Sequence, residues 1–267
     1  MASKIQNIKF KILSSTLLKE YCSKIDNVLL SSYESLVDSE LSADSFSFYT
    51  SVSAVFSSKI EGEDIDLDSY VKHKHFGVKF LPDYTQKIDD LYNAYQFAKG
   101  ASCNKENIEI AHEMLTKHIL PANQQGKIIR GNMYVTTPDG KIEYVAAPPH
   151  ALKGELQNFY ADLKTLLNSE LSIPESFFFA SLLHLVFVKI HPFDDGNGRI
   201  SRLIEKWFLG EKLGEKAWLI QSEKNYYSHH QTYYKNIRLL GLEYELLVYT
   251  NAMPFFLMLP NSLKLDL

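Results

Sequence analysis

Residues 177–190, "FFFASLLHLVFVKI", run apolar for 14 positions and are interrupted only by Ser181, His184 and Lys189. The run is too short and too polar to span a bilayer, so protein must cover it on every side. Ser172 and Glu175 form a capping box at its start, with Pro174 in the first turn. Pro192 disfavours helical backbone in the residue before it and marks the stop. A central helix of this kind obliges the rest of the chain to pack around it. Apolar residues recur at three and four through residues 22–36 (Ile25, Val28, Leu29, Tyr33) and 85–100 (Ile88, Leu91, Tyr95, Ala98, then Gly100 as a stop). The same spacing holds through residues 105–120 (Ile108, Ala111, Leu115, Ile119), closed by Pro121. Ile200, Leu203, Ile204, Trp207 and Phe208 predict a second core helix from about Arg199. Residues 132–146 break the rule, with two β-rich arms around Pro138-Asp139-Gly140. A lone hairpin is marginal unless it packs on something. The expected fold class is all-α with a single β-hairpin.

A chain of 267 residues can bury one large core, or one core with a smaller appendage. A net charge of −4 gives general nucleic-acid binding no electrostatic support. Cys22 and Cys103 have neither metal spacing nor partners for a disulfide framework, which suits a reducing compartment. "MASKIQNIKFKI" has no apolar run of the signal-peptide kind. No repeat or low-complexity tract occurs. The expectation is a soluble, cytoplasmic protein with no membrane or nucleic-acid partner. The helical, aromatic residues after Trp207 give no expectation of a DNA-binding module. Oligomeric state stays open, with a homodimer as the form that exposed aromatic surface would favour.

The apolar run ends in "HPFDDGNGRISR", residues 191–202. Gly196 and Gly198 permit positive φ and close approach of a ligand to the backbone. Consecutive amides followed by a helix N-terminus form an anion-binding concavity. Arg199 and Arg202 share one face of the first turn, where acids are preferred and cations are unfavourable. A bound polyphosphate would reverse that penalty and offer both guanidiniums bidentate partners. Asp195 would repel phosphate unless a cation lies between them, and Mg²⁺ takes one carboxylate plus phosphate oxygens. His191 has the pKa suited to taking a hydroxyl proton at neutral pH. A Gly-Asn-Gly pair alone is usually a turn. An EF-hand loop fails, because placing Gly196 or Gly198 at its sixth position puts His191 and Arg202, or Phe193 and Ile204, at the first and twelfth. A P-loop fails for want of GK[ST].

"HPFDDGNGRISR" resembles the signature of the Fic family, HPFx[D/E]GNGRxxR, at every specified position. The likeness extends to His184, seven residues before the motif, to "GKIIRGNMYV" with the hairpin, and to Tyr233-Tyr234, covering roughly residues 88–240. The resemblance implies a Fic-type helical bundle with the hairpin as a flap near the active site. Its domains would be an N-terminal helical region (1–87), a Fic domain (88–240) and a C-terminal helical extension (241–267). It implies transfer of AMP from ATP to a protein hydroxyl, Ser, Thr or Tyr, on a target and on the chain itself. His191 would be the base and Asp195 would hold Mg²⁺. Asn197 with the Gly196 and Gly198 amides would orient the α-phosphate. Arg199 would bind the β-phosphate and Arg202 the γ-phosphate, with Phe193 as a core anchor.

Further upstream, "SSKIEG" resembles the family's inhibitory motif, [S/T]xxxE[G/N], with Ser57 and Glu61 on a helix of about residues 45–62. There Glu61 would pair with Arg202 and block γ-phosphate placement. The flap would add an edge strand to a protein target, Tyr134 and Val135 would touch the nucleotide, and Tyr233 and Tyr234 would lie near the base. Phosphocholine or phosphate transfer, AMP removal, and a catalytically silent nucleotide sensor stay open as alternatives.

Overall fold

The computed structural model describes residues 5, 8–25, 28–43, 47–80, 82–136, 140 and 142–264. The N-terminal third holds α1 (Leu18–Lys24), α2 (Val28–Glu34), α3 (Phe48–Ile60) and α4 (Leu67–Phe76). Then follow α5 (Pro82–Gly100), α6 (Lys105–Leu115), β1 (Tyr134–Thr136) and β2 (Ile142–Val145). The centre is α7 (Pro149–Leu167), α8 (Ile173–Ile190) and α9 (Asn197–Leu213). Short helices close the chain: α10 (Ser222–Ser228), α11 (His230–Arg238), α12 (Met253–Phe256) and α13 (Met258–Asn261).

The helix α8 is the middle of the core. Its capping box forms as expected: Ser172 Oγ accepts from the Glu175 amide, and Glu175 Oε2 accepts from the Ser172 amide at 2.8 Å. At 18 residues it is longer than the apolar run and, against expectation, is the one helix among the described residues long and apolar enough to cross a membrane, yet 83% of it is buried inside the protein. That is the position of a core helix. Helices α7, α9 and α1 pack on it, with α12 and α13 on its other sides.

The helix α3 is wedged between α5 and α10 and also touches α9. Two α9 cations one turn apart bind two α3 serines one turn apart. Lys206 Nζ donates to Ser53 Oγ at 2.5 Å and Arg202 Nε donates to Ser57 Oγ at 2.8 Å. Lys206 is buried and paired with buried Glu223 at 2.6 Å, which also accepts from Tyr95 of α5 at 2.7 Å. Two buried charges repay their desolvation only with such geometry and extra hydrogen bonds. The N-terminal segment is clasped separately: the Asp162 carboxylate accepts from the Lys11, Ile12 and Leu13 amides at 2.8–2.9 Å.

Three boundaries differ from expectation. The helix predicted through residues 22–36 is broken at Ile25, which is extended (φ −88°, ψ 119°), giving α1 and α2. The helix predicted to run through Ile119 stops at Leu115, where Thr116 Oγ1 turns back onto the His112 carbonyl at 2.6 Å. Side-chain bonds of this kind compete with helix propagation. The helix α9 starts at Asn197, two residues early. Residues 87 and 88, where the N-terminal region and Fic domain were divided, fall inside α5.

The hairpin is antiparallel, with Tyr134 opposite Val145, Val135 opposite Tyr144 and Thr136 opposite Ile142. Pro138 and Asp139 of the expected turn lie outside the described residues. The hairpin packs as the argument from marginal stability requires: the Val145 amide donates to the Leu242 carbonyl at 2.8 Å, and Val145 bridges in parallel to Glu243.

Candidate active site

At the C-terminus of α8, His191 turns left-handed (φ 54°, ψ 59°), alone in this among the described non-glycine residues. Such backbone is unfavourable for a side chain with a Cβ and gathers at functional sites. The His191 amide donates to the Phe187 carbonyl at 3.0 Å, and Nδ1 lies 3.1 Å from the Val188 carbonyl. A carbonyl only accepts, so Nδ1 carries the proton and Nε2 is left with its lone pair. Burial pushes the imidazole pKa down, against the opposing Val188 carbonyl, Glu61 and Asp195, and favours this neutral form.

The loop after it is held from below. Phe193 is buried and stacks on His112 of α6 at 3.6 Å between ring centroids. His112 Nδ1 accepts from the Gly126 amide at 3.0 Å, so its Nε2–H donates to the Asp195 carbonyl at 2.9 Å. Burial lowers the His112 pKa to about 4, so the ring stays neutral. Asn197 is 2% exposed, and both ends of its carboxamide bond the Phe193 backbone, Oδ1 from the amide at 3.0 Å and Nδ2 to the carbonyl at 2.8 Å. Its side chain therefore shapes the loop.

Gly196 is left-handed (φ 79°), and a Cβ there would meet Thr116 Cγ2 at 2.8 Å. Its amide donates to Asp195 Oδ1 at 2.5 Å. Positive φ is absent at Gly198, which is helical.

Gly198 matters for another reason. A Cβ on it would run into Glu61 Oε1. No side chain caps α9 and no acid stands in its first turn, so its orphan amides are an anion site by construction. The Glu61 carboxylate, from just beyond the end of α3, comes to that spot. Arg202, 0% exposed, donates from Nη2 to Glu61 Oε1 at 2.6 Å and to the Ser57 carbonyl at 3.1 Å. Its Nη1 donates to Tyr233 Oη at 3.3 Å. Burial pushes the Glu61 carboxyl up, but Arg202 and Arg199 outweigh it and leave the pKa below the usual carboxylate value. A quarter of the Glu61 side chain still meets solvent.

A cavity of about 140 Å³ opens beside this contact. It is lined by Glu61, Val135, His191, Gly198, Arg202, Tyr233 and Tyr234 of the expected residues. Asp195, Gly196, Asn197, Arg199, Ser57 and Tyr134 are not in that lining. Arg199 sits 3.7 Å from Glu63 and 3.9 Å from Asp195, with its own counter-charges. Tyr134 is 46% exposed.

The lining also holds residues that sequence reasoning missed: Glu143, Tyr144, Lys189 and Arg238. Arg238 had a signal, four positions after Tyr234 on one helix face. Glu143 pairs with Arg238 across the cavity wall. Tyr233 is tied into a buried polar chain: His184 Nε2 lies 3.0 Å from its hydroxyl and His184 Nδ1 lies 2.8 Å from Glu205.

Residues 102–209 match the Fic/DOC family. Solved structures agree on the architecture. A Fic family protein from Desulfovibrio desulfuricans superposes with a TM-score of 0.74 at 17% identity, covering 96% of this chain and 74% of that one. A Fic domain containing signaling protein from Bacteroides thetaiotaomicron gives 0.64 at 16% identity, covering 93% and 94%. Fic-1 from C. elegans gives 0.63 at 16% identity, covering 93% and 68%. Comparison with curated proteins gave no match. The chain has the all-α Fic fold with its hairpin.

Proposed function

We propose that this chain is a protein adenylyltransferase restrained by its own Glu61. The observation that carries the reading is the seat of the Glu61 carboxylate, on Gly198 and the Arg202 guanidinium, in a cavity that His191 also lines. A carboxylate held by a helix N-terminus and a buried arginine marks where a phosphate anion binds best. The match of residues 102–209 to the Fic/DOC family supports transferase chemistry at this place.

With Glu61 withdrawn, Arg202 and the first-turn amides of α9 would hold the outer phosphates of ATP, and Arg199 those nearest Asp195. Asp195, whose Oδ1 accepts from the Gly196 amide and lies 3.9 Å from Arg199, stands beside the start of that turn. Among the described residues no group of three or more His, Cys, Asp or Glu side chains is placed to hold a metal. That fits Mg²⁺ taken by a single carboxylate together with phosphate oxygens, where it would supply charge neutralisation. Nε2 of His191 would take the proton of a Ser, Thr or Tyr hydroxyl. The hydroxyl oxygen forms a bond to the α-phosphorus, the bond from that phosphorus to the bridging oxygen breaks, and pyrophosphate leaves with the electron pair. Transfer of this type needs alignment and charge neutralisation more than covalent help. The protein target would dock on the hairpin, and the reaction would take place in the cytoplasm.

Intact mass after incubation with ATP and Mg²⁺ tests the reading. Glu61→Gly should gain AMP, the unaltered chain much less, and Glu61→Gly with His191→Ala none. No added mass in any form, with nucleotide still bound, would leave a silent nucleotide sensor. Modification only with CDP-choline would overturn the AMP assignment.

A further inference from the structure

We propose that Tyr144, on strand β2 of the hairpin, is a positioning residue for His191 that acts through the backbone carbonyl of Lys189. The proposal rests on the reading of His191 as the base. The last carbonyls of a helix lack intrahelical donors and must be satisfied otherwise. At the end of α8 three in a row are satisfied in sequence. The Phe187 carbonyl takes the His191 amide at 3.0 Å, the Val188 carbonyl takes His191 Nδ1–H at 3.1 Å, and the Lys189 carbonyl takes the Tyr144 hydroxyl at 2.7 Å. The first two bonds set the backbone and the tautomer of His191. The third belongs to a different element and ties the same turn to the flap.

Tyr144 is itself fixed from both sides. The Lys189 ammonium lies 4.0 Å from the centre of its ring and donates to the Gly241 carbonyl at 3.2 Å. The next residue, Val145, donates its amide to Leu242 at 2.8 Å. Tyr144 and Lys189 are buried and line the cavity with His191. Hairpin, α8 terminus and the 241–242 segment therefore meet at one phenol. A left-handed histidine gains nothing from regular helix beyond it, so its register depends on how firmly the preceding carbonyls are held.

The test is Tyr144→Phe in the Glu61→Gly chain, which keeps the ring beneath the ammonium and removes only the hydroxyl. The kcat for self-modification should fall roughly 10- to 100-fold, the scale of a slight misplacement of a reacting group, while KM for ATP stays within about twofold. The charged groups around His191 are Asp195, Lys189 and, in the unaltered chain, Glu61, and none of them changes between parent and variant. A loosened turn admits water to the imidazole, so its titration, followed by NMR of the ring protons in the full chain, should move up toward the ordinary histidine value of about 6.5. That readout needs no turnover. If the Glu61→Gly parent transfers AMP while Tyr144→Phe matches it in kcat and in the His191 titration, the positioning role is wrong and the parent reading stands. If the parent itself transfers nothing, the adenylyltransferase reading has failed, and an unmoved His191 titration in Tyr144→Phe would still overturn the link.

Discussion

Two segments close over His191, and they are built in opposite ways. Ten of the 13 residues of α3 are buried, and buried serines tie it to Arg202 and Lys206 of α9. The hairpin is short, three and four residues, and exposes Tyr134 and Ile142. Glu61, at the seam between these styles, stands just past the rigid helix with part of its side chain in water. If Glu61 is the restraint we propose, the contrast teaches that it need not come off as a unit. Freeing the proposed phosphate seat would require only that one carboxylate swing away, while the helix behind it stays part of the core. The flap has few such anchors, which would suit the docking surface proposed for it.

Breaking the rigid side should have the largest effect. Lys206→Ala would leave Glu223 buried with only neutral hydrogen-bond partners and should destabilise the fold by about 3–5 kcal/mol, the range for removing one half of a buried pair. A denaturant midpoint would read it. Ile142→Ala on the hairpin should shift the same midpoint by less than about 0.5 kcal/mol, as exposed substitutions do. Equal losses at the two positions would erase the distinction. Next comes Glu61→Gly. It should raise self-modification roughly tenfold or more, yet cost less stability than Lys206→Ala, because Glu61 is a quarter exposed and buried Arg202 keeps its bonds to Ser57 and Tyr233. A large drop in stability with activation would show that α3 detaches as a whole.

The pH dependence sharpens the comparison further. Burial holds the His191 imidazole below its ordinary value, so the neutral form, which the proposed base role needs, persists as pH falls. In the Glu61→Gly chain the acid limb of kcat should therefore lie below about pH 6.5, the unperturbed histidine value. The sign for stability agrees: a depressed folded pKa contributes stability that is present above the unfolded value and is lost as pH falls through the folded one. An acid limb above 6.5 in a pH–rate profile would place His191 in an open, solvated site.

How much of this could be read from residues follows from the range of the interactions. The central helix was legible because an apolar surface on all sides has one stable place, and the capping box fixed its start within the local chain. The loop was legible by residue type, and Glu61 through its motif. What escaped depends on contacts between distant segments. Nothing in "GNG" says that Thr116, just past the end of α6, is what crowds Gly196. Tyr144 meets Lys189 across 45 positions. The break at Ile25 and the early end of α6 at Thr116 are local, but a three-and-four pattern continues through both and conceals them.

The smallest effect should come from Tyr134, which was expected to touch the nucleotide and does not line the cavity. Its side chain stands about half exposed on β1, opposite Val145, whose far edge is already occupied by Leu242 and Glu243. The edge of the sheet left for an added strand is therefore that of β1. Tyr134→Ala in the Glu61→Gly chain should change KM for ATP by less than about twofold, within the range of surface substitutions. If the hairpin receives a target as an edge strand, the same change should lower modification of an added protein while self-modification is kept. A rise in KM for ATP would instead bring Tyr134 into the nucleotide site and make the flap, like α3, part of the machinery that holds the phosphates.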